Sequence, residues 1–163
     1  MRRRRCGNEP VVKRVREREP PAHFRGASGT EETHICSRSR RFISSPKDEW
    51  HEAAVRESRQ LRQRLVTSVW ILMELGDGVA DSPNRTWFPE FVADLMGSAQ
   101  FEIVPTDNHC FRLGLDLYRC RPDKEWSLTD CISFEIMRTR RLTEALTTDH
   151  HFTQAGFRAL LRE

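Results

Sequence analysis

The sequence has no run of about 18 consecutive apolar residues, so it writes no helix long enough to cross a bilayer. It opens on Met1-Arg2-Arg3-Arg4-Arg5, which resembles the charged start of a signal peptide, but no apolar segment follows. There is no Cys-x-x-Cys pair. The five cysteines (Cys6, Cys36, Cys110, Cys120, Cys131) are odd in number and widely spaced. Neither a zinc site nor a disulfide framework is indicated, and reduced thiols in a cytoplasm are expected. GxGxxG, GxxxxGKS/T and GxSxG are all missing, which removes the usual glycine-rich phosphate cradles and the serine nucleophile elbow. Aspartate is missing from the whole of residues 1–47.

What is present is spread unevenly. Residues 1–47 carry 13 Lys+Arg against 5 Asp+Glu, whereas residues 48–163 carry 14 against 19. Apolar residues number 12 in the first segment and 49 in the second, and all four tryptophans lie after residue 48. The first segment cannot bury enough apolar surface to offset its ordering entropy, and the second can. This predicts a disordered basic leader over residues 1–44 and one folded domain over residues 45–163. The arginines of the leader could touch RNA or anionic lipid by charge alone, or form a solvated charge run.

From residue 45 onward, helix and strand signals alternate. Ser45-Pro46-Lys47-Asp48 reads as a capped helix start, predicting a helix over 46–61. Strands are predicted over 64–67, 101–104 and 144–148. Helices are predicted over 69–80, 87–97, 107–118 and 128–140, the last opened by the capping box Ser127-Leu128-Thr129-Asp130. A closing helix takes in Phe152, Phe157, Leu160 and Leu161. Val69, Leu72, Met73 and Ala80 mark the apolar face of the helix over 69–80. His34-Ile35-Cys36 and Arg41-Phe42-Ile43 are strand-like but short, with polar flanks. Strands and helices at these spacings predict an α/β fold on a parallel sheet, whose sites lie beyond the carboxyl ends of the strands.

The chemistry available there is carboxylate chemistry. Glu74 sits among Trp70, Ile71 and Met73, and Asp77 and Asp81 extend it into an acidic stripe at i+3 and i+7. Such a stripe is either a solvated face or part of a site. Asp130 is fully explained as the acid of a capping box, while Asp149, directly after the third strand, either simply caps the closing helix or belongs to a site. Taken together, Glu74, Asp130 and Asp149 fall near one edge of the sheet. Gathered carboxylates repel, and a hard divalent cation with oxygen ligands, Mg2+ or Mn2+, relieves that repulsion. His150 and His151 are adjacent, which on a regular helix or strand would turn them apart, so a two-histidine metal clip is not expected.

Residues 45–163 resemble the PIN-domain family, which includes the VapC-like toxins of toxin–antitoxin pairs. The resemblance is carried by Asp48-Glu49-Trp50-His51-Glu52-Ala53-Ala54, by Leu65-Val66-Thr67-Ser68 leading to Met73-Glu74-Leu75, by Ser127-Leu128-Thr129-Asp130-Cys131-Ile132-Ser133-Phe134, and by Ala145-Leu146-Thr147-Thr148-Asp149-His150-His151-Phe152. It implies a three-layer α/β/α sandwich and Mg2+- or Mn2+-dependent endoribonuclease activity. An RNA substrate, an antitoxin partner and a homodimer are implied with it, and no membrane. By the same resemblance Glu74 and Asp130 bind metal and Asp149 completes the cluster. Thr129 and Thr148 supply supporting hydroxyls, and Asp77 stands close by.

The family pattern begins with an apolar strand ending in Asp followed by Thr or Ser. In this chain the corresponding position falls near Cys36, in His34-Ile35-Cys36-Ser37, and carries no acid. A frameshift upstream of residue 45 would produce such an arginine-rich leader. The activity is then expected to be impaired by loss of the first acid. Two other readings stand beside it: an inactive PIN-like binding module, and a pseudogene product that never folds stably.

Overall fold

The computed structural model describes residues 34–36 and 64–162, all within the unit Glu31–Glu163. The rest of the basic leader and the helix predicted over 46–61 lie outside the described residues. Five strands make one sheet: β1 (His34–Cys36), β2 (Leu65–Ser68), β3 (Phe101–Val104), β4 (Glu144–Leu146) and β5 (Arg158–Ala159). Their order is β3-β2-β1-β4-β5, and every pairing is parallel. The helices are α1 (Val69–Val79), α2 (Phe88–Gly97), α3 (Asn108–Cys120), α4 (Leu128–Arg140) and α5 (His150–Gln154).

The first strand, left in doubt by its length and polar flanks, is present and central. His34 stands opposite Leu65, Ile35 opposite Val66 and Ala145, and Cys36 opposite Leu146. It also lies upstream of residue 45, where the change in composition falls.

All four residues of β2 are buried, as expected for a parallel strand covered on both faces. β4 shows the same by alternation: Ala145 joins the main core with Val66, Phe134 and Phe152, while the next residue, Leu146, packs with Leu161. The chain moves from β1 to β2 to β3 in one direction, then crosses back to β4 and β5. Right-handed crossovers therefore place α1 and α2 on one face and α3 to α5 on the other, giving three layers. The reversal occurs between β1 and β4, so their carboxyl ends open the crevice where an open α/β sheet places its site.

α4 is the central helix. Cys131, Ile132, Ser133, Phe134, Ile136 and Met137 are all buried. Its start is fixed reciprocally: the Ser127 hydroxyl accepts from Asp130 N–H at 3.0 Å, and Asp130 Oδ2 accepts from Ser127 N–H at 2.8 Å.

The closing helix is shorter than expected. α5 ends at Gln154, and Gly156 follows with φ 92°. Phe157 N–H bonds Phe152 carbonyl at 2.9 Å and Gly156 N–H bonds Thr153 carbonyl at 3.1 Å, the paired closure that stops a helix at a left-handed residue. The chain then turns back into β5 and a 3-10 turn over Leu160–Arg162. A Cβ at residue 156 would meet nothing within 4 Å, so the cost of a side chain there is conformational alone. Gly156→Val is expected to lower stability by about 1–2 kcal/mol, read as a shift in denaturant midpoint at unchanged slope.

Candidate metal centre at the carboxyl edge of the sheet

Asp130 and Asp149 come from different elements and meet on one imidazole. His151 Nδ1 lies 3.2 Å from Asp130 Oδ2 and 3.4 Å from Asp149 Oδ1. Their side chains are mostly enclosed, with 12% of Asp130, 15% of His151 and 28% of Asp149 exposed. Asp149 is held at the end of β4 in extended conformation. Its N–H donates to the Thr147 hydroxyl at 3.0 Å, and its Oδ1 accepts from His151 N–H at 2.9 Å, capping α5. Capping and convergence are thus compatible: Asp130 Oδ2 closes the α4 cap and faces His151 as well.

An aromatic chain locks these elements together. Phe134, one turn beyond Asp130, meets Trp126 edge-on with centroids 5.1 Å apart and Phe152 edge-on at 4.9 Å. Phe152 directly follows His151. Trp126 Nε1–H donates to Gln154 Oε1 at 3.2 Å, tying the approach to α4 to the end of α5. Edge-to-face pairs of this kind add about 0.5–1.5 kcal/mol each beyond the area they bury.

Glu74 lies on α1. The buried residues of that helix are Ile71, Leu72 and Val79, whereas Met73 is 59% exposed, so the helix is turned from the face expected on sequence. Glu74 follows Trp70 and Ile71 by one turn, and both of these pack in the main core. Its Oε2 is shielded from solvent. Asp77 and Asp81, the rest of the predicted stripe, are exposed. Thr129 and Thr148 are half-buried; the hydroxyl that holds Asp149 is that of Thr147, buried at the end of β4.

The rings of the histidine pair do not diverge as their adjacency suggested. The rings of His150 and His151 lie 4.3 Å apart, and His150 Nδ1 is 3.6 Å from Asp149 Oδ1. Donor atoms of Asp149, His150 and His151 lie within 4.8 Å of one another. Neighbours on a regular helix diverge, but these two occupy the first positions after a cap. The cap carboxylate curls back over the first turn and both imidazoles reach it. The signal in sequence was Asp followed directly by His-His at a strand end.

Thiol chemistry does not compete here. Burial pushes the free thiols Cys110 and Cys131 up to about 11, so neither is a nucleophile at neutral pH. Among the described residues no helix is long and apolar enough to cross a membrane.

Neither the family models nor the curated proteins compared with the chain give a match. Among solved structures, VapC20 of Mycobacterium tuberculosis, a Sarcin-Ricin loop cleaving toxin, superposes with a TM-score of 0.68 at 18% identity. The match covers 77% of this chain and 95% of that one. The fold is PIN-like. At this identity the likeness concerns architecture: a parallel α/β sheet of the VapC kind, with Asp130 and Asp149 at the reversal point of its strand order.

Proposed function

We propose that the chain is a VapC-like endoribonuclease whose acidic cluster is Glu74, Asp130 and Asp149, impaired because Cys36 stands where the first acid of the family belongs. The observation that carries this reading is the meeting of Asp130 and Asp149 on His151 at the switch point of a PIN-like sheet. The donor set suits a divalent ion such as Mg2+ or Mn2+, since two enclosed carboxylates from separate elements offer hard oxygen. When bound, such an ion polarises a phosphoryl oxygen and lowers the pKa of its water. Asp130 and Asp149 would hold it, Glu74 would complete the cluster from α1, and Thr129, Thr148 and Asp77 would support it. An RNA substrate, an antitoxin partner, a homodimer and a cytoplasmic setting go with this reading. A second reading, a PIN-like binding module without activity, is favoured by the missing acid at Cys36.

The test is cleavage of a sarcin–ricin loop RNA in Mg2+ or Mn2+, with Asp130→Asn as the blank. The unmodified chain is expected to cleave weakly, and the blank to fall at least about 100-fold, to the level of RNA alone. Asn keeps an oxygen that can accept from Ser127 N–H, so its stability should stay within about 1 kcal/mol. Residual cleavage unchanged in the blank would leave the binding module as the reading. Robust cleavage by the unmodified chain, abolished in the blank, would mean that three carboxylates suffice.

A further inference from the structure

The two histidines distinguish this site from an all-oxygen cluster. Donors around a small divalent ion with bonds of about 2.0–2.2 Å stand roughly 3–4 Å apart. The separations of His151 Nδ1 from Asp130 and Asp149, 3.2 and 3.4 Å, fall in that interval. His150 is 54% exposed, so its ring has room to turn, and its Nδ1 is already 3.6 Å from the same Asp149 oxygen. Imidazole is a borderline donor. It binds Mn2+, Co2+ and Zn2+ in rising strength and adds little for hard, strongly hydrated Mg2+.

We propose that the cation site takes imidazole nitrogen from His151, aided by His150, and therefore selects Mn2+, Co2+ or Zn2+ over Mg2+. The inference deepens the reading of the acidic cluster given above and rests on it. The competing role for His151 is a hydrogen-bond bridge that only positions the two carboxylates. A bridge would act through the acids and weaken every cation alike when removed. A ligand would weaken the borderline ions selectively and place nitrogen on the metal.

The experiment uses the full chain loaded with Mn2+ and reads nitrogen coupling by pulsed electron paramagnetic resonance. Calorimetric affinities for Mn2+, Co2+ and Mg2+ are measured alongside in the native chain, His151→Ala and His151→Gln. The expected result is imidazole nitrogen coupling in the native spectrum and its loss in both variants. Mn2+ and Co2+ affinities should fall about 10–100-fold in the variants, with Mg2+ changed by less than about threefold. Binding with an oxygen-only native spectrum would overturn the proposal, as would an equal loss for all three ions. The native spectrum decides the point even if both variants unfold. No cation binding by the native chain, or binding indifferent to Asp130→Asn, would overturn the acidic-cluster reading as well.

Discussion

Cys36→Asp is expected to raise divalent-ion affinity and RNA cleavage by about 10–100-fold over the unmodified chain. Cys36 is the last residue of β1, in the middle of the sheet, and stands opposite Leu146. Leu146 ends the adjacent parallel strand and Asp149 comes three residues after it, so both strands deliver their carboxyl ends to one edge. An ordinary cysteine is mostly protonated at neutral pH, and a neutral thiol is a poor ligand for a hard cation. Aspartate adds an oxygen donor and a unit of negative charge at the carboxyl end of β1, on the edge where β4 also ends. Without metal that charge repels the other acids and should lower the melting temperature. With metal the order should reverse, because an ion bound at 100 times its Kd contributes about 2.7 kcal/mol. The diagnostic is therefore a larger Mn2+-induced rise in melting temperature for Cys36→Asp than for the native chain, with Cys36→Ser as the size-matched control. Equal gains in Asp and Ser variants would show that position 36 does not face the cation.

The elements that were legible in sequence are those with long, clear periodicity. α4 carries a capping box and six buried positions over 13 residues, and its predicted span of 128–140 is the observed one. β1 was legible only as a short strand-like stretch, and β5 not at all, for a physical reason: three and two residues carry almost no pattern. They are strands because neighbours on the sheet supply their partners. Asp130 looked fully explained as a cap and Asp149 could simply have been one, and each is a cap. The error to avoid is treating that explanation as exclusive, since one carboxylate has enough lone pairs to cap a helix and face His151 too. His151 itself was discounted by a rule for regular elements, applied at a helix start where the rule does not hold. The turning of α1, with Met73 outward and Ile71 inward, depends on which face the core offers, and local periodicity did not settle it.

Gly114→Ala is expected to cost about 1–3 kcal/mol although no polar group is touched. α3 and α4 approach each other closely at this residue. A Cβ on Gly114 would lie 2.9 Å from both Cα and N of Ile132, and closer still to its Cγ1. The side chain of Ile132 cannot yield, because it is 1% exposed within the main core, and the backbone atoms have no rotamer to change. Alanine gains up to about 1 kcal/mol of helix propensity over glycine, which the clash outweighs. The contrast is Gly78→Ala on α1, where nothing lies within 4 Å of the added carbon, so propensity alone should act and stability should hold or rise. Ile132→Ala combined with Gly114→Ala should cost less than the sum of the two single changes, because the Cγ1 clash disappears while the backbone clash remains. The effect should also reach the metal centre. Ile132 is two residues beyond Asp130 at the start of α4, so forcing α4 away from α3 shifts Asp130 relative to His151 and Asp149. Gly114→Ala should therefore weaken cation binding, measured by calorimetry at a temperature where it is still folded. Full stability in Gly114→Ala would show that the two helices can part without loss, and that the close crossing does not hold Asp130 in place.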